Sequence, residues 1–289
     1  MVSVHNAREI KKMRRACSLA AETLVMISEH IRPGVSTEEL NTLVHDFTLK
    51  NNAIPGPLNY RGFPKSVCTS VNAVVCHGIP GEQILKDGDI INVDVTPIFP
   101  RRRGYHGDTS ATFYVGTPSL KARHVVEVAR QSLEIGIAVV RPGATLGDIG
   151  HAIQTFAEGK GCSVVRDYTG HGIGRRFHTE PSVPHYGVPG TGMSLRPGMT
   201  FTIEPMVNLG GFEIDHLDDG WTVLTRDRSL SAQFEHTIVV TQTSCDVLTR
   251  RSAPLKNCED VPWAKLGPLT SFIPSPKPES KPVTQPASV

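Results

Sequence analysis

An α+β fold made of two related halves is what this 289-residue chain predicts. Three observations carry that prediction. Helical patterning precedes strand patterning twice along the chain, which favours α+β over a parallel βαβ sheet. Two stretches recur at nearly one offset: IRPGVSTEEL from Ile31 with VRPGATLGDI from Val140, 109 residues apart, and LKDGDIINVD from Leu85 with LRPGMTFTIE from Leu195, 110 apart. Turn tripeptides recur by chance, yet two matches in one order and spacing favour an internal repeat. Finally, four acids sit in apolar, strand-like runs: Asp94 in IINVDVTPI, Asp108 in HGDTSATFYVG, Glu204 in MTFTIEPMV and Glu235 in SAQFEHTIVV.

Apolar residues at Ile10, Met13, Cys17, Ala20, Leu24 and Ile27 keep the three-and-four spacing of one helix face and predict a helix over 7–29. Arg-Pro-Gly at 32–34 ends it. Ser36 or Thr37 then caps a second helix that runs to 51, with Glu38 and Glu39 favourably placed in its first turn. Strands follow. The second half repeats the plan: a helix over 120–140, a break at Pro142-Gly143, a cap at Thr145, a helix to 159, and strands again. Residues 1–250 are expected to form one folded domain. From 251 to 289, eight of 39 residues are proline, a composition that predicts a disordered tail.

Thirty basic and 28 acidic side chains nearly balance, and no basic stripe argues for a specific nucleic-acid partner. Six cysteines without a Cys-x-x-Cys pair fit reduced thiols in a cytoplasmic protein. The first residues lack an apolar segment of signal-peptide type, and no run of 18 apolar residues predicts a membrane span.

Burying a carboxylate is costly unless a cation or hydrogen bonds compensate it. Any one of the acids reads most simply as part of a solvated strand face. As a set with His171, which lies in the Gly-rich YTGHGIGRRFH, they read as an oxygen-rich site for two divalent metals. The repeat places Asp94 over Glu204, which expects the site between the halves. His178 closes the same Gly-rich segment, and His77 lies in VVCHGIPG. A nucleotide loop is the competing reading of GHGIG, but its glycines at 170, 172 and 174 lack the G-x-G-x-x-G spacing. His106, beside Gly107-Asp108, reads either as a partner behind the ligands or as a turn residue, and the turn reading is preferred.

The runs NYRGFPKSVCTSVNAVVCHGIPG, DGDIINVDVT, HGDTSATFYVG, GHGIGRRFH, LRPGMTFTIEPMV and DGWTVLTRDRSLSAQFEHTIVV closely resemble those of bacterial type I methionine aminopeptidases, members of metallopeptidase family M24. The resemblance implies the pita-bread fold, a pseudo-two-fold α+β domain with an antiparallel-rich sheet flanked by helices. It implies that Asp94 binds one metal, that Asp108 and Glu235 bridge two, and that His171 and Glu204 complete the second. The ions would be cobalt, manganese, iron or zinc. Glu204 would carry the proton, while His77 and His178 would contact the scissile amide. Tyr60, Phe63, Cys68, Phe177 and Trp221 would line a methionine pocket, although core packing also accounts for Phe63 and Phe177. A sodium or potassium ion is expected near Asn72, Val74 and Ser231. The implied substrates are the N-termini of nascent polypeptides with a small second residue, cleaved by a monomer that associates with ribosomes.

Three features depart from the family pattern. Arg61 stands where many relatives have histidine. Arg176 replaces a common glycine and is expected at the pocket mouth. The segment TPIFPRRRGYHG is longer than usual and carries Arg101, Arg102 and Arg103 on an expected surface excursion. Two rival readings remain. A prolidase or proline aminopeptidase shares the fold but usually has an extra N-terminal domain. A catalytically silent binding protein would typically lose ligands.

Overall fold

The computed structural model describes Val2 and residues 4–258. Four helices form where the patterning places them: α1 (Ala7–Ser28), α2 (Thr37–Lys50), α3 (Leu120–Val139) and α4 (Leu146–Gly159). Helix α1 buries Met13, Cys17, Ala20, Leu24 and Ile27 on one face. Ser36 is the cap of α2. Its hydroxyl accepts from the Glu39 N–H at 3.1 Å, and the Glu39 carboxylate accepts from the Ser36 N–H at 2.7 Å. Thr145 and Asp148 form the same box at the start of α4.

The repeat is visible in equivalent hydrogen bonds. In the first half the Gly34 N–H donates to the Leu85 carbonyl at 2.8 Å, and the Leu85 N–H to Val35 at 2.9 Å. In the second, Gly143 donates to Leu195 at 3.0 Å and Leu195 to Ala144 at 2.8 Å. Ser36 bridges Ile84 as Thr145 bridges Ser194. Gly34 and Gly143 adopt φ of 89° and 85°, the left-handed region open to glycine at little cost. The recurring Arg-Pro-Gly is therefore a turn that clamps a helix start onto the loop before the following strand.

Among the described residues every strand pairing is antiparallel. In the first half, Ile90–Val95 lies between Cys68–Val71 and Thr109–Tyr114. In the second, Thr200–Ile203 lies between Gly170–Gly172 and His236–Val240. The largest core cluster spans both halves, with Leu24, Ile91 and Phe113 from one and Ile153, Phe201 and Ile238 from the other. Burial of that apolar surface is the main force holding the halves together.

Polar side chains stitch the seam. Asn92 donates to the Gln233 carbonyl at 2.9 Å, and the Thr112 hydroxyl donates to it at 2.8 Å. The Thr109 hydroxyl donates to the Glu235 carbonyl at 2.7 Å, and the Glu235 N–H to Ser110 at 3.1 Å. The polar face of IINVDVTPI is thus buried rather than solvated: Asn92 and Thr96 keep 3% and 2% of their surface. Asn92 finds its partner across the seam in Gln233, and Thr96 finds one in Asp108.

Residues 251–258 of the expected tail pack onto this body. Leu255 joins the core, Asn257 accepts from the Tyr114 N–H at 2.6 Å, and its side chain donates to the Ile31 carbonyl at 2.8 Å. The rest of the expected tail, 259–289, lies outside the described residues. Among the described residues no helix is long and apolar enough to cross a membrane.

Candidate metal centre

A cavity of about 420 Å³ opens at the seam, and all five expected ligands line it. Each half contributes in the same way. Asp94 sits near the end of the central strand Ile90–Val95, opposite Cys68 and Ser110. Glu204 directly follows the central strand Thr200–Ile203 of the other sheet. Asp108 precedes the strand Thr109–Tyr114, and Glu235 precedes His236–Val240. His171 is the middle residue of Gly170–Gly172.

Neighbours fix each of these side chains. A Cβ on Gly107 would come within 2.3 Å of the Ala16 backbone, so only glycine lets the Asp108 segment lie against α1. Thr96 donates its hydroxyl to Asp108 Oδ1 at 2.8 Å. The Thr237 hydroxyl donates to the Asp108 carbonyl at 2.8 Å. His171 Nδ1 lies 3.2 Å from the Gly172 carbonyl, which sets the tautomer and leaves Nε2 free. That Nε2 is 3.5 Å from Asp108 Oδ2 and 3.6 Å from Glu204 Oε1. The Thr202 hydroxyl accepts from the His171 N–H at 2.9 Å and donates to Glu204 Oε1 at 2.7 Å. Gln233 donates to Glu204 Oε2 at 3.2 Å. His185, wholly buried, accepts the Glu204 N–H on Nε2 at 3.0 Å.

So many acids in one dry place distort their own protonation. Burial first, then Asp108 and Glu204, hold the Asp94 carboxyl well above the usual range. Burial, then Asp108, Glu204 and Asp94, do the same to Glu235. Burial pushes Glu204 up to about 7 although His171 and Thr202 pull it down. For His171, burial alone lowers the pKa, but Asp108 and Glu204 outweigh it and raise it. Without a cation the site must therefore hold protons.

The residues present fit a divalent cation. Asp94 Oδ1 is buried with no hydrogen-bond partner. Asp108, His171 and Glu235 each offer a ligand atom, all within 4.8 Å of one another. Carboxylates with one imidazole are the donor set of hard to borderline ions.

Aromatic and sulfur groups make the wall. Tyr60, Phe63, Cys68, Phe177 and Trp221 line the cavity with Cys76, joined by Tyr168 and Met206, which the sequence did not single out. Phe63 meets Trp221 edge-on at 5.2 Å. His77, at a left-handed φ of 56°, lies edge-on to Tyr168 at 5.2 Å, and burial takes its pKa down to about 4. Strain of this kind concentrates where geometry serves a function. His178 stands at the mouth with Nδ1 2.8 Å from the Tyr60 hydroxyl.

Two expectations change. His106 is a buried strand residue rather than a turn residue: it stacks on Phe177 at 5.2 Å and holds the Gly174 carbonyl at 3.1 Å. Arg61 lines the cavity but Arg176 does not; Arg176 is exposed in the loop beyond Gly174. At the cation position expected near Asn72, Val74 and Ser231, the Ser231 N–H donates to the Asn72 carbonyl at 2.9 Å. Val74 opens the strand Val74–Cys76, and the Ser231 hydroxyl and Asn208 Oδ1 are buried without partners.

The chain matches metallopeptidase family M24 over residues 11–242. It is 55% identical over 249 residues to the methionine aminopeptidase of Rickettsia prowazekii (strain Madrid E), an alignment that takes in 86% of this chain and 95% of that one. The crystal structure of the methionine aminopeptidase from that organism superposes with a TM-score of 0.84, covering 86% of this chain and 100% of the other. The prolidase of Pyrococcus horikoshii shares the fold at a TM-score of 0.67 and 21% identity; the match takes in 87% of this chain and 65% of that one.

Proposed function

The chain belongs to metallopeptidase family M24, and from that premise we propose that it is a metallo-exopeptidase that removes N-terminal methionine from nascent polypeptides. One observation carries the reading: buried carboxylates and an imidazole converge at the floor of a cavity whose wall is aromatic and sulfur-rich. On this reading residues 1–250, with 251–258 docked on them, are the catalytic unit of the pita-bread fold.

Asp94, Asp108, His171, Glu204 and Glu235 would hold two divalent cations, of cobalt, manganese, iron or zinc. When bound, these supply a Lewis acid for the scissile carbonyl and lower the pKa of water. Glu204, held in place by Thr202 and Gln233, takes the proton of the attacking water and returns it to the leaving amine. His178 Nδ1 lies 2.8 Å from the Tyr60 hydroxyl; with that hydroxyl as the donor, Nε2 carries the ring proton and donates it in a hydrogen bond to the developing oxyanion. His77, neutral at pH 7, is the second donor to the scissile amide. Tyr60, Phe63, Cys68, Phe177 and Trp221 take the methionine side chain, since a thioether packs favourably on rings. Preference for a small second residue is what the family resemblance implies. Asn72, Val74 and Ser231 would hold a sodium or potassium ion, which the unpartnered Ser231 hydroxyl supports.

The protein acts as a cytoplasmic monomer on this reading and meets its substrates at the ribosome. Arg101, Arg102 and Arg103 are exposed, as that docking needs. Neutralising all three should weaken ribosome co-sedimentation about ten-fold or more at low salt, in line with the loss of several phosphate contacts. Unchanged co-sedimentation would remove those arginines from the account.

Methionine release from Met-Ala-Ser tests the function. Metal-stripped protein should be inactive, and Mn²⁺, Fe²⁺ or Co²⁺ should restore release. Cleavage of an X-Pro peptide instead would favour a prolidase. No release from either, with any ion, would leave a silent binding protein.

A further inference from the structure

The rim of the cavity carries a charge that this chemistry does not use. Tyr60–Gly62 is a single tight turn, and Arg61 at its centre has a φ of 49°, where bulky side chains are seldom found. The turn is rigid. The Tyr60 N–H donates to Pro57 at 2.9 Å, the Phe63 N–H to Tyr60 at 3.0 Å, and the Asn59 N–H to Phe63 at 2.8 Å. Both flanks are pinned, with Phe63 buried against Trp221 and the Tyr60 ring 4.9 Å from Phe177. The Arg61 guanidinium is exposed, 5.4 Å from the Tyr60 ring centroid, and among the described residues no carboxylate pairs with it.

Its position fixes what it can meet. On the proposed reading the methionine side chain enters the apolar wall and the rest of the peptide leaves past the open rim beside His178. Arg61 adjoins Tyr60, whose hydroxyl holds His178. Asp167 and Glu180 are the rim's acids, and neither forms an ion pair with Arg61. A guanidinium on a rigid turn, with its donors free, matches a planar carboxylate.

We propose that Arg61 is a specificity-determining residue: it binds a carboxylate downstream of the cleaved bond and favours nascent chains with Asp or Glu shortly after the second residue. This rests on the aminopeptidase reading. The carboxylate can be a side chain or the C-terminus of a short peptide, and C-terminal amidation separates the two.

The test is kcat/KM of the cation-loaded full chain on Met-Ala-Glu-Ser, Met-Ala-Gln-Ser and Met-Ala-Lys-Ser amides, with Met-Ala-Gln-Ser as free acid for comparison. The Glu amide should lead the Gln amide about two- to five-fold through KM, as befits one exposed ion pair. The lead should shrink at about 0.5 M salt. The Glu/Gln ratio should fall to about one in Arg61→Asn, since asparagine tolerates the left-handed turn, and Arg61→Glu should reverse the order in favour of Lys. Ratios are read within each variant, so a general loss of activity cancels. A ratio near one in the parent protein, or a lead that survives Arg61→Asn, overturns the proposal and leaves the aminopeptidase reading standing. A preference for the free acid alone overturns selection among nascent chains. No release from any peptide overturns both.

Discussion

Replacing Glu204 by Gln should lower kcat for methionine release by about 10²- to 10⁴-fold, the range lost with a positioned acid–base group. The side chain is held from both sides. Oε1 accepts from the Thr202 hydroxyl at 2.7 Å and Oε2 from the Gln233 amide at 3.2 Å, while His185 anchors the backbone N–H. Glutamine keeps the shape and the Thr202 bond, but it sets its own NH₂ against the NH₂ of Gln233 and cannot accept a proton. The loss should appear in kcat rather than KM, because the proton moves only in the transition state. Because Glu204 is also a proposed ligand, cation content must be measured on the same sample by elemental analysis. A variant with full cation content and a kcat within ten-fold of the parent would place the proton carrier elsewhere.

How the chain announces this site differs from residue to residue. Asp94, Asp108, Glu204 and Glu235 are legible because ionisable groups inside apolar runs violate the local pattern. The clamps are legible because Arg-Pro-Gly and the capping pairs are short-range grammar, and Ser36 and Thr145 sit at equivalent places in both halves. Gln233, Thr202, Thr237 and His185 were not legible. Each acts through a tertiary contact, as when His185 reaches Glu204 across 19 positions of sequence or Thr237 reaches Asp108 across 129. His106 looked like a turn residue because it precedes Gly107, yet its burial comes from Phe177, far along the chain. Arg61 and Arg176 look alike in sequence; only the turn at Tyr60 puts the first on the rim. Leu255 docks as a lone apolar residue without any periodicity, so the proline-rich composition around it pointed to a tail.

Metal-stripped protein should lose stability as pH rises from about 6.5 to 8.5, whereas cation-loaded protein should not. The sign follows from which state binds more protons. A group whose pKa is raised by folding contributes stability that is complete below its unfolded pKa and is lost as pH climbs through the folded value. Glu204, raised from 4.5 to about 7, loses its contribution by the upper end of that window. Asp94 and Glu235 are raised well above the ordinary carboxylate range, by burial first and then by Asp108 and Glu204, and lose theirs as pH climbs through their own folded values. His171 is raised as well and adds in the same direction. The depressed histidines act oppositely, but only at lower pH. Neutral in the fold, His77, His178, His185 and His236 stabilise increasingly as pH approaches 6.5 and contribute a constant above it. The buried thiols of Cys17, Cys68 and Cys76 begin to matter only near their ordinary value of 9.0. Between those limits the site's acids dominate. Each group still protonated in the fold costs about 1.4 kcal/mol per pH unit, so one group across the window shifts Tm by roughly 5–10 °C at this chain length. A bound cation replaces the protons, which should flatten the slope and raise Tm most at the alkaline end. Asp108→Asn should flatten it partly even without metal, because it removes a charge that raises both Asp94 and Glu235. Calorimetry of stripped and loaded protein at three pH values decides the matter. A metal-free Tm that is level or rising above pH 6.5 would mean that hydrogen bonds, not protons, balance the four carboxylates.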